Sequence, residues 1–227
     1  MNILDTSIAN VAIPTIAGNL AVSPDQGTWV ITSFAVSLAI SVPLTGWLGK
    51  RFGEVRLFLV ATLLFALFSL LCGLSVSLPM LIVFRVLQGA VAGPMIPLSQ
   101  SLLMMNYPSE KHATAISIWG MIAVVAPVVG PVLGGLVTDD YSWRWVFYIN
   151  VPIGLIAVAL TAFTLRGRET AKEHVPLDKL GLALLIIGVA SLQIMLDKGN
   201  ELAWFSSTTI CALAAIAVVT LSFFVAW

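Results

Sequence analysis

Apolar residues in this sequence come in long blocks bounded by charges, prolines and turn residues, and that blocking decides the fold class. A helix needs roughly 17 to 25 mainly apolar residues to cross about 30 Å of hydrocarbon. Seven stretches reach that length: Thr28 to Leu48, Leu57 to Leu78, Leu81 to Met105, Ala113 to Val137, Trp145 to Leu165, Leu180 to Leu196 and Phe205 to Trp227. Pro94 and Pro97 predict a kink in the third of these. An eighth stretch, Ile3 to Ile16, is too short for an untilted crossing and reads as half a span. No basic residue precedes it and Asp5 and Asn10 interrupt it, so it lacks the pattern of a secretory signal.

Composition agrees. Charged residues make up 10% of the chain, against about 25% in ordinary soluble domains, which excludes a soluble globular protein. The 11 Lys+Arg balance the 11 Asp+Glu, so no global field favours nucleic acid as a partner.

The basic residues set the topology, because short loops rich in Lys and Arg stay cytoplasmic. Counting the half-span as first, Lys50, Arg51 and Arg56 fall between the second and third spans and Lys111 between the fourth and fifth. Arg166, Arg168, Lys172 and Lys179 fall between the sixth and seventh. Only Arg144 and Lys198 occupy the alternate loops. The chain is expected to cross its membrane many times.

Two charges remain inside spans, Arg85 and Asp5. Each would cost about 2.5 to 3.5 kcal/mol at a helix centre, so each is expected to face protein or a water-filled cavity. Asp5 can alternatively be a helix-start residue at the membrane surface. Arg85 can alternatively serve the backbone carbonyls freed near Gly93, Pro94 and Pro97.

Several segments carry a family likeness in the right order. Gly46-Trp47-Leu48-Gly49-Lys50-Arg51-Phe52-Gly53-Glu54-Val55-Arg56 resembles the GxLaDrxGrk loop of the major facilitator superfamily, and Phe84-Arg85-Val86-Leu87-Gln88-Gly89 resembles its fourth-helix RxxqG motif. Ala126-Pro127-Val128-Val129-Gly130-Pro131-Val132-Leu133-Gly134-Gly135 resembles the fifth-helix motif of its antiporters. Leu4-Asp5-Thr6-Ser7-Ile8-Ala9-Asn10-Val11-Ala12-Ile13-Pro14 and Trp143-Arg144-Trp145-Val146-Phe147-Tyr148-Ile149-Asn150-Val151-Pro152 resemble first- and sixth-helix signatures of the drug:proton antiporters in its fourteen-helix branch.

The resemblance implies an all-α integral membrane fold: a six-helix N-terminal bundle in 1–165 with its first helix cut short, a cytoplasmic loop in 166–179 and two linker transmembrane helices in 180–227. The C-terminal six-helix bundle of such a transporter is expected to be absent from this stretch. It implies proton-driven efflux of hydrophobic or amphipathic compounds, cationic drugs among them, across a bacterial inner membrane, with protons as co-substrate and a periplasmic membrane-fusion protein and outer-membrane channel as partners. A truncated, transport-inactive fragment and a metabolite facilitator are the alternatives.

In such proteins the first and fourth helices occupy equivalent places in inverted repeats and face one cavity, which would set Arg85 beside Asp5 as the proton and substrate coupling pair. Cavity-lining or gating roles are implied for Asn10, Gln88, Gly89, Pro127, Gly130, Pro131, Gly134 and Gly135. A cytoplasmic gating loop is implied at Gly46, Lys50, Arg51, Gly53 and Arg56. Ala126, Gly130 and Gly134 recur every four residues and let helices approach closely.

Trp47, Trp143, Trp145, Trp204 and Trp227 lie near span ends and are expected to anchor at the interface. Cys72 and Cys211 lack metal-ligand spacing and are expected to be packing residues. His112 and His174 fall in loops and are expected to be solvated. The sequence holds no P-loop, HExxH or GxSxG pattern. No metal, cofactor or enzyme activity is expected.

Overall fold

The computed structural model describes residues 1–173 and 175–227, so the expectation for His174 lies outside the described residues. The described residues form twelve α-helices in order: α1 (Asn2–Asn19), α2 (Pro24–Gly27), α3 (Trp29–Ser41), α4 (Thr45–Phe52), α5 (Glu54–Gly73), α6 (Leu78–Ala92), α7 (Met95–Asn106), α8 (His112–Asp140), α9 (Trp145–Tyr148), α10 (Asn150–Thr164), α11 (Lys179–Lys198) and α12 (Thr208–Ala226). No strand occurs among the described residues.

Among the described residues six stretches are long and apolar enough to cross a membrane: α5, α6 with α7, α8 with the short turn before it, α9 with α10, α11 and α12. The predicted span from Thr28 to Leu48 is not straight. It breaks after Ser41, and the α2–α3 stretch meets α4 at 61°. The fourth span is interrupted at Pro94, with α6 ending at Ala92 and α7 starting at Met95. α1 is longer than the apolar stretch predicted for it, running 18 residues to Asn19 with Pro14 inside, and it is not among the stretches long and apolar enough to cross a membrane.

Local chemistry fixes several helix ends. Ser23 and Gln26 form a reciprocal capping box ahead of α2, with Pro24 at its first position. The Asp178 carboxylate accepts from the Leu180 and Gly181 N–H groups and caps α11. One buried cluster, including Ile8, Ala12, Ile16, Val30, Leu81, Trp143 and Phe147, joins α1, α3, α6 and α9. A second unites Phe34, Ala61, Phe65, Ala92 and Met95.

Outside these clusters the long apolar side chains face outward, as on α8 (Val124, Val128, Val132) and α12 (Val218, Phe223, Val225). That is the pattern of helices solvated by lipid, whose exteriors need no polar coat. The interfacial expectation fails for Trp143, which is fully buried and meets Phe147 edge-on at 6.2 Å. Trp145, Trp204 and Trp227 are exposed near helix ends.

Small residues set the closest helix crossings. A Cβ on Gly89 of α6 would come within 3.0 Å of Ser37 Cβ and 3.1 Å of the Leu38 nitrogen on α3. Ser37 and Ser41 then donate across the gap to the Val86 and Gly89 carbonyls at 2.6 and 3.2 Å. On α8, a Cβ at Gly130 would come within 2.5 Å of Ser7 Cβ, and one at Gly134 within 3.1 Å of the Ile8 carbonyl oxygen.

The last two helices form a hairpin, and α11 packs on α3. Lys198 is 4% exposed; it donates to Thr28 Oγ1, pairs with Glu201 at 2.8 Å and lies 5.1 Å from the Trp29 ring centre. Thr32 donates to the neighbouring Asp197 carboxylate.

Gly89→Val should lower stability by about 1–3 kcal/mol, the usual cost of overpacking a tight contact. Gly135→Ala, where a Cβ meets nothing within 4 Å, should be neutral or slightly stabilising. Thermal midpoints of the two variants in detergent, followed by size-exclusion fluorescence, check both.

Candidate functional site

α1 and α6 bring their charges together in the interior. Arg85 Nη1 donates to Asp5 Oδ2 at 2.6 Å, and both side chains are fully buried. The surface helix-start reading of Asp5 is thereby overturned. Arg85 does serve a backbone carbonyl, but it is that of Val30, reached by Nε at 3.0 Å, rather than one near Gly93, Pro94 or Pro97.

Nη1 also donates to Gln88 Oε1 at 2.7 Å, one helical turn along α6. The guanidinium carbon lies 4.1 Å from the Phe34 ring centre, a cation–π contact that partly replaces the lost hydration. Buried charges of this kind survive only when paired and hydrogen-bonded, and removing one partner costs about 3–5 kcal/mol.

A third helix completes the shell around the carboxylate. Asn150, the first residue of α10, donates from Nδ2 to Asp5 Oδ1 at 2.6 Å and to Ser69 Oγ on α5 at 3.1 Å. Ser69 in turn donates to the Phe147 carbonyl at 2.8 Å. Asn150 escapes an argument from charge alone; a polar amide inside an apolar run is the signal that finds it. Cys72, the buried packing residue expected, lies 3.7 Å from Gln88 Oε1.

Arg85 and several of the groups around it lie toward one end of the bundle. Val30, Ser69, Arg85 and Asn150 each sit within about two turns of a helix end on the side that carries Thr28, Ser75 and Arg144. On that side Arg144 donates to the Ser75 carbonyl at 3.1 Å.

The opposite face of α1 lines a cleft of about 340 Å³ with Thr6, Ser7, Asn10, Leu38, Ile96 and Pro127. A second, mainly apolar cleft of about 280 Å³ shares Asn2, Ile3 and Ile96 and is walled by Phe58, Met95 and Trp119. Asn10 and Pro127 therefore do face a cavity, whereas Asp5, Arg85, Gln88 and Gly89 lie behind it in the packed interior.

Gly130 and Gly134 are contact residues for α1 rather than lining, and Gly135 faces open space. Pro131 has no N–H, so the Pro127 carbonyl one turn back loses its helical donor and accepts from Ser7 Oγ at 3.3 Å instead. α8 stays helical through both prolines.

The basic motif is a turn between helices rather than a loop. Gly46, Lys50 and Arg51 belong to α4, and only Gly53, at φ +90°, separates it from α5, which holds Arg56. That left-handed backbone suits glycine.

The first N–H groups of α5 receive no cap from their own neighbourhood. Glu169 supplies both carboxylate oxygens, to Val55 and Arg56 at 3.0 Å each, and Thr170 Oγ1 accepts from Glu54 at 2.9 Å. Glu173 N–H donates to the Lys50 carbonyl at 2.8 Å, Trp47 Nε1 to the Val175 carbonyl at 3.1 Å, and Arg168 to Asn106 Oδ1 at 2.6 Å. These contacts gather Lys50, Arg51, Arg56, Arg168 and Lys172 at one end of the bundle, away from Lys198 and Arg144. Among the described residues no group of three or more His, Cys, Asp or Glu side chains is placed to hold a metal.

The Major Facilitator Superfamily model matches residues 1–227. The chain belongs to that superfamily. It is 61% identical over its full length to the Multidrug export protein EmrB of Escherichia coli (strain K12), of which it covers 44%, and 54% identical to the Fatty acid resistance protein FarB of Neisseria gonorrhoeae, of which it covers 45%. The chain thus spans less than half the length of these curated relatives.

Among solved structures, 96% of it aligns with 56% of a bacterial homologue of the human lysosomal transporter Spinster, inward-facing and unoccupied, at TM-score 0.61 and 19% identity. Likewise 97% aligns with 49% of a peptide transporter POT in complex with sulfate, at TM-score 0.66 and 16% identity. At such identities the structures speak for the fold alone. The chain is a multi-pass membrane protein of that superfamily.

Glu169→Ala should leave the membrane core intact and loosen the segment that caps α5. Loss of a cap costs about 0.5–2 kcal/mol, so tryptic cleavage after Arg166, Arg168 or Lys172 should speed up by about two- to thirtyfold. Timed digestion with mass-spectrometric readout measures it.

Proposed function

We propose that this chain forms the N-terminal part of a drug:proton antiporter that exports hydrophobic or amphipathic compounds across a bacterial inner membrane. The observation that carries the reading is the fully buried Asp5–Arg85 pair at 2.6 Å, in a chain alike from end to end to proteins named for multidrug export. Arg85 keeps its charge at any physiological pH, so the proton that moves must belong to the carboxylate. Protonating Asp5 cancels one charge of the pair and leaves the guanidinium held only by neutral acceptors.

Arg85 lies toward the end remote from the basic cluster, which the positive-inside rule assigns to the periplasm, while Asp5 stands in the first turn of α1, about four turns from Asn19. Drug binding falls to the clefts on the other face of α1, where Thr6, Ser7 and Asn10 offer polar atoms among Ile3, Leu38 and Ile96. One helix thus presents a proton site on its inner face and a substrate wall on its outer face. Movement of α1 couples them. The likeness to a fatty acid resistance protein extends the expected substrates to amphipathic acids. A periplasmic fusion protein and an outer-membrane channel complete the proposed assembly.

Two experiments test this. In inverted vesicles holding the full-length transporter, Arg85→Ala should abolish proton-driven drug accumulation, and wild-type uptake would sink the reading. The double change Asp5→Asn with Arg85→Gln removes both charges; it should restore folding without restoring coupling.

Residues 1–227 expressed by themselves should insert without raising drug resistance, because alternating access needs two bundles around the site. Resistance that disappears in Asp5→Asn would show instead that this stretch transports. A metabolite facilitator would move its solute down a gradient with no response of a drug dye to an imposed pH step. A cysteine introduced between Arg166 and Lys179 should resist membrane-impermeant reagents added outside intact cells.

A further inference from the structure

Asn150 occupies an unusual position, because its two ends are treated differently by the protein. Both N–H bonds are used, one on Asp5 Oδ1 and one on Ser69 Oγ. Its own Oδ1 is buried with no hydrogen-bond partner among the described residues. A buried acceptor left unmade costs free energy and normally finds an internal partner.

The direction of the amide is set by chemistry: an ionised carboxylate only accepts, so Nδ2 must face it. Once a proton from water adds to an Asp5 oxygen, the charge falls from −1 to zero and an O–H appears among donors. On Oδ2 it would point at Arg85 Nη1. On Oδ1 it would meet Asn150 Nδ2 at 2.6 Å and, more distantly, Gln88 Nε2 at 3.5 Å, both of them donors to the ionised form. Of the buried side-chain atoms without partners, Asn150 Oδ1 is the one acceptor on a residue that touches Asp5.

We propose that Asn150 is a positioning residue that reads the proton on Asp5, donating to the ionised carboxylate and, with its amide turned over, accepting from the protonated one. The inference rests on the antiport reading for its consequence in transport. Turning the amide about its terminal bond exchanges Oδ1 and Nδ2 without moving the backbone. An amide oxygen has two lone pairs, so in the turned state it accepts from both Asp5 and the Ser69 hydroxyl. Ser69 then releases the Phe147 carbonyl, to which it now donates. A proton on α1 is thereby felt on α5, on α9 and at the first residue of α10, through one amide and one hydroxyl.

Infrared difference spectroscopy on the full-length protein in lipid tests the exchange. The protonated carboxyl band of Asp5 is identified by its loss in Asp5→Asn, and the side-chain amide band of Asn150 by its loss in Asn150→Leu. On acidification the Asn150 band should shift in step with the appearance of the Asp5 band, and should not shift in Asp5→Asn.

Asn150→Gln, which keeps a side-chain amide, should retain an amide band that shifts with the Asp5 band, whereas Asn150→Leu and Asn150→Ser should show no amide band that follows it. An Asn150 band that stays still while Asp5 protonates overturns the proposal. Coupled efflux retained in Asp5→Asn would sink the antiport reading and leave the infrared result standing.

Discussion

A carboxylate and a guanidinium can share a hydrocarbon environment only if protein groups replace nearly all the water each gives up. Around Asp5 and Arg85 that replacement draws on α1, α3, α5, α6, α9 and α10 at once: the Val30 carbonyl, the Phe34 ring, Gln88, Asn150 and, through Ser69, the Phe147 carbonyl. The helices nearest the pair approach closely through Gly89 on α6 and Gly130 and Gly134 on α8. Bulk at those points would push α3 and α1 outward and open the pair to partners that lipid cannot supply. Charge and packing in this bundle are one problem.

Much of this could be read from residue order. Apolar blocks a bilayer thick admit few folds other than transmembrane helices, and two charges inside such blocks had to find each other or water. The break at Pro94 and the turn at Gly53 follow from backbone chemistry that needs no neighbours. What escaped has two causes. The bend after Ser41 has a local cause in Pro43 that went unread, whereas the burial of Trp143 and the capping of α5 by Glu169 depend on which segment arrives from elsewhere in the chain. Composition near a span end cannot tell an interfacial Trp from one enclosed by four helices. Asn150 was visible as a polar residue in an apolar run, but its role appears only once α1 and α10 are neighbours.

The placement of Asp5 also corrects a simple picture of the cavity. Lying on one helix with Thr6 and Asn10 does not give it the same face: successive residues turn by about 100°, so Asp5 points inward while Thr6, Ser7 and Asn10 look into the cleft. The two faces of α1 can then be occupied without their occupants touching one another.

The cap on α5 bears on how such a chain is assembled. Val55 and the carboxylate that satisfies it are 114 residues apart. At translation rates of about 5–20 residues per second, Glu169 is made roughly 6 to 23 s after Val55. Through that interval α6 to α10 are being synthesised while the start of α5 must borrow its hydrogen bonds from water or lipid headgroups. The turn at Gly53 is therefore finished late, after the last of those helices has emerged, and its closure would mark the bundle as complete.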